Sequence, residues 1–237
     1  MKALFLSDVH YKGLDDPNTP LLLSFLENEL HRGDALVVVG DLFDLWIGYD
    51  HVVYAEYVPV LAKFYELKNK GVRVIYVEGN HDLFLGSFFT EKLHVEVLNK
   101  EGLVIIDNKK FYLHHGDGID KRGPLKKLAL GFLRTKAAIV LSRILGPNVI
   151  WRLGHNLSHT SRHYGPVVLG ARDRYRNFGK KILIENNYDY FIVGHTHIPD
   201  EYEVAPGKMY YNVGDWVRNY TYLEYVDGKF TIKKISA

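Results

Sequence analysis

Side chains able to bind divalent metal ions stand directly after the predicted strands of this sequence. They are Asp8, His10, Asp41, Asn80, His115, His195 and His197. In an extended segment alternate side chains point the same way, so an Asp-x-His or His-x-His pair can face one ion. Loops at strand ends bring polar groups together without disturbing the buried face of a sheet. The pattern predicts a metal centre.

Each of these residues also has a structural interpretation. An Asp after a strand often forms a turn or caps a helix, a buried His often makes only hydrogen bonds, and Asn80 could form a tight turn. Ligand types at five successive strand ends favour a metal centre over five separate explanations. Cysteine is absent, so the donors are oxygen and imidazole, which suit manganese, iron, zinc or cobalt.

Strand and helix patterns predict the scaffold that positions these ligands. Buried strands are expected at residues 2–6, 35–39, 72–77 and 190–193, and shorter strands at 95–98, 103–106, 110–114 and near the C-terminus. Amphipathic helices are expected at about 19–31 and 52–70. Together they predict an α/β fold, a four-layer α-β-β-α sandwich of two mixed sheets.

A basic, mainly helical segment interrupts this pattern. Residues 119–181 contain 14 Lys or Arg and only two acidic residues, giving a formal charge of +12 against −10 for the rest of the chain. This segregation indicates an anionic partner, with a solvated helical surface as the alternative. We expect a core formed by residues 1–118 and 188–237 and an inserted helical cap at residues 119–187.

The chain is predicted to be cytoplasmic. Lys2 and Asp8 flank the first strand, which argues against a signal peptide, and no apolar run reaches the ~18 residues that span a bilayer. Apolar and basic residues are interspersed over 125–150. This stretch suits core burial, an acyl groove, or peripheral contact with the cytoplasmic face of an inner membrane. The oligomeric state stays open.

Five ordered motifs resemble those of the calcineurin-like metallophosphoesterases. They are Asp8-x-His10, Gly40-Asp41-x-x-Asp44, Gly79-Asn80-His81-Asp82, His115-Gly116-Asp117 and Gly194-His195-x-His197. The resemblance implies that Asp8, His10, Asp41 and His197 hold one ion, and that Asp41, Asn80, His115 and His195 hold a second. It implies that Asp41 bridges the two ions.

The resemblance also implies a reaction. Two divalent ions, Mn²⁺ foremost and Fe, Zn or Co as alternatives, lie about 3.5–4 Å apart in such centres and acidify a shared water. The metal-bridging hydroxide attacks phosphorus in line. By the same resemblance His81 stabilises the transition state or protonates the leaving oxygen. Asp82 could orient His81 or cap a following helix.

Three features narrow the resemblance to the UDP-2,3-diacylglucosamine hydrolases of the lipid A pathway. They are the apolar stretch at residues 40–48, the place and size of the cap, and the segment at residues 211–222. This resemblance implies hydrolysis of UDP-2,3-diacylglucosamine, an anionic lipid-nucleotide, to UMP and 2,3-diacylglucosamine 1-phosphate (lipid X). The best-known branch has Arg at the position of His81, which follows the general pattern of the superfamily and a second branch.

Substrate contacts are predicted for Asn80, His81, Arg172 and Arg176. The two arginines stand four residues apart, on one face of a helix, and arginine forks suit the oxygens of a diphosphate. A solvated helix face is the alternative interpretation.

Two other functions compete with this interpretation. A phosphodiesterase acting on another nucleotide or on nucleic acid would use the basic cap to bind a backbone. The basic run holds only Tyr175 and Phe178 as aromatic residues, too few for base stacking, so we expect no nucleic acid partner. A non-catalytic scaffold is disfavoured because every ligand position is filled.

Overall fold

The computed structural model describes residues 1–119, 131–161 and 170–235, the last seven residues of the second range by backbone alone. The strands are β1 (Lys2–Leu6), β2 (Ala35–Val38), β3 (Trp46–Ile47), β4 (Arg73–Val77), β5 (Asp82–Phe84), β6 (Glu96–Leu98), β7 (Glu101–Ile106), β8 (Lys109–His114), β9 (Tyr190–Val193), β10 (Asp200–Ala205), β11 (Lys208–Asn212), β12 (Thr221–Val226) and β13 (Lys229–Lys234). The helices are α1 (Thr19–Asn28), α2 (Val58–Lys70), α3 (Lys136–Leu145), α4 (Pro147–Ser161) and α5 (Ala171–Glu185).

Two mixed sheets carry the candidate ligands at their edges. The first sheet has the order β13-β12-β1-β2-β4-β6, in which β1, β2, β4 and β6 run parallel. The second has the order β10-β11-β9-β8-β7, in which β8, β9 and β11 run parallel. Parallel strands end at the same edge, so the loops after β1, β2 and β4 lie side by side, as do those after β8 and β9.

Three apolar layers separate the sheets and helices. Leu4 and Leu6 face the cluster that α1 and α2 cover, whereas Ala3 and Phe5 face the cluster between the two sheets. This alternation follows from the two-residue period of a strand. A third cluster, which includes Tyr175, lies under α5. The predicted α/β fold with two mixed sheets and outer helices is confirmed.

Two helix boundaries differ from the predicted ones. The second helix begins at Val58 rather than near residue 52, with Pro59 in its first turn, and a short 3₁₀ turn over Ala55–Tyr57 leads into it. Pro suits this position because the first amide of a helix has no partner to lose. The first helix ends at Asn28, three residues earlier than predicted.

The helices of the predicted cap have different neighbours. Helices α3 and α4 pack together, whereas α5 packs on the second sheet. A Cβ at Gly179 of α5 would crowd Phe191 and Tyr210, so the helix lies close to those strands. The division at residues 119 and 187 stays a prediction, and part of it, residues 120–130 and 162–169, lies outside the described residues. Within the described ranges, no helix has the length and apolarity to cross a membrane.

Candidate metal centre

Six of the predicted ligands meet where the two sheets present their strand ends. Three groups of side chains each offer ligand atoms within 4.8 Å of one another. They are Asp8 with Asp41, His115 and His195; Asp8 with His10 and His197; and His10 with Asp44 and His81. Asp8 belongs to two groups, so these two candidate positions are adjacent. Asn80, the seventh predicted ligand, is half-buried, and its Oδ1 has no hydrogen-bond partner among the described residues.

Most of these ligands have a left-handed backbone conformation. The φ angles are 54° at Asp8, 50° at His10, 55° at Asp41, 67° at His195 and 58° at His197. Residues other than glycine rarely adopt positive φ, and each such residue costs roughly 1–3 kcal/mol. Strain of this kind persists where the surrounding fold holds it, and five of the twelve non-glycine residues with positive φ among the described residues are predicted ligands.

Glycine precedes three of the ligands because the site leaves no room for a side chain. A Cβ at Gly40 would overlap the ring of His115, and one at Gly79 would overlap the carboxylate of Asp41. A Cβ at Gly194 would overlap the hydroxyl of Ser7. The Gly-Asp, Gly-Asn and Gly-His pairs of the sequence therefore reflect close approach of neighbouring strand ends.

Buried polar atoms in this cluster lack hydrogen-bond partners. Oδ1 of Asp8 and both ring nitrogens of His10 are unpaired among the described residues, although the His10 side chain is only 4% exposed. The Asp8 Oδ1 atom lies 3.3 Å from Nε2 of His197 and 3.8 Å from Nε2 of His10. An unsatisfied buried polar group costs about 1–3 kcal/mol, so such atoms normally have a partner. Convergent carboxylate and imidazole donors fit a divalent cation.

Outer contacts fix the orientation of two imidazoles. Nδ1 of His115 donates to the carbonyl oxygen of Val39 at 2.8 Å, which directs Nε2 toward Oδ2 of Asp41, 3.2 Å away. Nδ1 of His197 lies 3.3 Å from Oδ2 of Asp215. A hydrogen-bond acceptor next to Nδ1 keeps the proton on that nitrogen, so that Nε2 is free to bind a metal ion. Asp215 is not among the predicted site residues, although it follows the end of β11 and so fits the same strand-end pattern.

Asp82 has neither of the roles that the sequence suggested. Its Oδ1 accepts the amides of Asp41 at 3.1 Å and Gly79 at 2.7 Å, and its Oδ2 accepts the hydroxyl of Tyr76 at 2.5 Å. Asp82 thus ties two ligand loops together, and it begins β5 rather than a helix. Nδ1 of His81 instead lies 2.8 Å from the carbonyl oxygen of Asp44.

The charges of the cluster compensate one another. Burial raises the pKa of the Asp41 carboxyl, but the adjacent His115 and His81 lower it well below its ordinary value. Burial lowers the pKa of His115, but Asp41 and Asp8 raise it to about 10. A proton on imidazole therefore balances the carboxylates, and a divalent cation binds in competition with it.

The two predicted arginines lie on α5, against β10. Arg176 donates from Nε and Nη2 to the carboxylate of Asp200 at 2.8 and 2.6 Å, and its guanidinium lies 4.9 Å from the ring centre of Tyr202. Nε of Arg172 lies 3.5 Å from the same carboxylate. Their contact with a diphosphate stays a prediction that competes with this ion pair.

Family comparison agrees with the site. The family model described as calcineurin-like phosphoesterase matches residues 1–199. The chain belongs to the calcineurin-like phosphoesterase family, and the predicted class of hydrolase, acting on phosphoric ester or anhydride bonds, is confirmed. The chain is 26% identical over 245 residues to UDP-2,3-diacylglucosamine hydrolase of Aliivibrio fischeri, covering 99% of this chain and 98% of that protein. It is 27% identical over 244 residues to the hydrolase of the same name from Porphyromonas gingivalis, covering 93% and 92%.

Solved structures align with the chain at lower sequence identity. The chain aligns with Yfce, a phosphoesterase from E. coli, with 18% identity, full coverage of both chains and a TM-score of 0.46. It aligns with Vps29 complexed with Zn²⁺ from Entamoeba histolytica with 18% identity, coverage of 98% and 97%, and a TM-score of 0.44.

Proposed function

We propose that this protein uses two divalent ions, Mn²⁺ foremost, to hydrolyse the diphosphate of UDP-2,3-diacylglucosamine to UMP and 2,3-diacylglucosamine 1-phosphate. The observation that carries the proposal is an apolar cavity whose lining includes Leu83, two residues after His81. The full-length similarity to hydrolases of that name supports it.

The cavity is formed between the core and the inserted helices. Its volume is about 190 Å³, and its lining includes Leu83 and Phe84 from the core and Phe132, Ile139 and Leu145 from the insertion. Leu83 and Phe84 follow the His81-Asp82 pair directly, so an acyl group in this cavity keeps the attached sugar phosphate close to His81. The volume is below the ~300–1,000 Å³ of pockets for whole ligands, which suits one apolar part of a larger substrate.

The chain's own residues supply the remaining requirements of the reaction. When bound, the ions supply an acidified water and Lewis-acid contacts to the phosphoryl oxygens. Asp8, His10, Asp41 and His197 would hold one ion, and Asp41, Asn80, His115 and His195 the other. His81 donates Nδ1–H to the Asp44 carbonyl, which leaves Nε2 to face the substrate. A protonated His81 then stabilises the departing oxygen through Nε2.

The insertion also presents apolar side chains to solvent. Ile144 is 76% exposed and Val140 is 53% exposed on α3, and Leu153 on α4 is 51% exposed. Exposed apolar patches mark sites for proteins or membranes. For an enzyme with a diacylated substrate, a membrane surface is the matching partner, so we place the protein in the cytoplasm with peripheral contact at the inner membrane.

The test is release of UMP from UDP-2,3-diacylglucosamine by manganese-loaded protein, beside His81→Ala and Asp41→Ala. We expect turnover by the unaltered protein and losses of at least a hundredfold in both variants, as expected when a catalytic acid or a shared ligand is removed. His31→Ala is the matched control, because the His31 side chain is 79% exposed and His31 belongs to none of the ligand motifs.

Each other outcome points to a different function. Hydrolysis of bis-p-nitrophenyl phosphate without UMP release would reject the lipid substrate and retain a phosphodiesterase. Failure on both substrates by protein with bound metal would support the non-catalytic scaffold.

A further inference from the structure

Arg134 connects the inserted segment to the loops that carry the candidate ligands. Its Nη2 donates to the carbonyl oxygen of Gly79 at 2.9 Å and to Oδ2 of Asp117 at 3.0 Å. The Arg134 and Asp117 side chains are only 10% and 8% exposed. A buried guanidinium with this geometry is held in one orientation, because both acceptors lie on well-packed loops.

Both contacts lie beside the candidate metal centre. Gly79 precedes Asn80, and a Cβ at Gly79 would reach the Asp41 carboxylate. Asp117 stands two residues after His115 in the same loop. The Arg134 guanidinium is therefore next to two loops that carry predicted ligands.

The residues on either side of Arg134 belong to the apolar cavity and to a helix. Phe132 and Leu133 line the cavity. On the other side, the Thr135 hydroxyl accepts the amide of Ala138 at 3.2 Å and caps α3. Four successive residues, 132–135, thus place an apolar wall, a cation and a helix start in fixed order.

Arg134 also has a buried donor that its contacts with described residues do not use. Its buried Nε has no hydrogen-bond partner among the residues that the structure describes. Guanidinium groups bind phosphate oxygens through several N–H donors, so an unpaired Nε beside a phosphoesterase centre suits a phosphate oxygen.

We infer that Arg134 is a substrate-positioning residue, whose Nη2 holds the two ligand loops while its Nε binds a phosphate oxygen of a substrate with its apolar part in the cavity. This inference rests on the proposed function for the identity of that substrate. It makes the insertion a contributor of charge, as well as of apolar surface, to substrate binding.

The test compares Arg134→Lys and Arg134→Ala on two substrates, of which only UDP-2,3-diacylglucosamine carries acyl groups. We expect kcat/KM to fall at least ten times more for UDP-2,3-diacylglucosamine than for bis-p-nitrophenyl phosphate, with the loss mainly in KM. Lysine keeps the positive charge but lacks the planar set of N–H donors of a guanidinium. Arg134→Lys should therefore lose most of the kcat/KM that Arg134→Ala loses. Arg143→Lys is the matched control, because Arg143 is an exposed α3 residue paired with Asp50.

Two further measurements separate positioning from a structural role. Bound metal and Tm should be similar in Arg134→Lys and the unaltered protein. An equal loss on both substrates together with lost metal would overturn the inference, and so would unchanged kinetics.

A binding experiment separates this inference from the proposed function. If the unaltered protein releases no UMP, binding of 2,3-diacylglucosamine 1-phosphate to the metal-loaded protein still tests Arg134. If Arg134→Lys binds this ligand at least tenfold more weakly, the result would support the inference about Arg134 without supporting the proposed function. Absence of binding by the unaltered protein, or equal binding by both, would reject it.

Discussion

Oδ2 of Asp215 lies 3.3 Å from Nδ1 of His197, so a fully buried carboxylate supports one of the candidate ligands from behind. Its other oxygen, Oδ1, accepts the amides of Val217, Arg218 and Asn219 at 2.9, 2.7 and 2.9 Å. Burial raises the pKa of the Asp215 carboxyl, but His197 and these amides lower it below its ordinary value. The carboxylate is therefore charged and fixed, and it holds the imidazole of His197 in one orientation.

Asp215→Asn should weaken metal binding more than it alters the fold. The amide oxygen can still accept the turn amides, but the negative charge behind His197 is lost. Outer-shell substitutions typically cost 10–100-fold in metal affinity, and we expect about that loss in a manganese titration. Asp227→Asn, an exposed carboxylate paired with the N-terminus, serves as control. Equal affinities for the two variants would contradict the role given to Asp215.

Gly194→Ala should destabilise the protein and reduce its metal content. The added Cβ would overlap the Ser7 hydroxyl and approach the Asp8 carboxylate, which accepts the amide of His195 at 2.7 Å. Overpacking of a tight site typically costs about 1–3 kcal/mol, measurable by urea unfolding. Gly131→Ala is the matched change, since a Cβ there meets no described residue within 4 Å. A Gly194→Ala protein as stable as Gly131→Ala would refute the close approach.

Trp151→Ala should loosen α4 from the core. The Trp151 ring centre lies 5.1 Å from that of Tyr54 and 5.3 Å from that of Tyr57, and a Cβ at Gly154 would overlap Leu45. Because Trp151 is only half-buried, we expect a loss of roughly 1–3 kcal/mol, below that of a core tryptophan. Amide hydrogen exchange should become faster in α4 and stay unchanged in β1. Trp151→Phe should keep most of the protection, and loss of protection throughout the chain would instead indicate global unfolding.

Removal of divalent ions should lower the thermal stability. A ligand present at a hundred times its Kd stabilises the folded state by about 2.7 kcal/mol, which corresponds to a Tm shift of roughly 5–10 °C for a chain of this size. Calorimetry with and without a chelator measures this shift. Asp41→Asn, which alters the proposed bridging ligand, should show a much smaller shift. A chelator effect of the same size in both proteins would argue against binding at Asp41.

The sequence predicted the strand ends well because buried parallel strands are continuous apolar runs that stop where polar chemistry begins. The loops after β1, β2 and β4 therefore marked Asp8, Asp41 and Asn80 as candidate ligands, and Asp8 and Asp41 lie together in one group of candidate ligands. Roles that depend on a partner far along the chain were not visible. Asp82 binds amides of another loop, and Arg176 pairs with Asp200, as only tertiary contacts reveal. The start of α2 was displaced because amphipathic spacing extends into the 3₁₀ turn before it.

Stability and metal-binding chemistry favour different residues at five positions with a left-handed backbone conformation. These positions are Asp8, His10, Asp41, His195 and His197. Glycine adopts this conformation without strain, so it is the residue that folding alone would choose at those five positions. The proposed metal centre requires carboxylate and imidazole there instead. A descendant released from catalysis would gain stability by replacing them with glycine or asparagine, and loss of its activity would be hard to reverse.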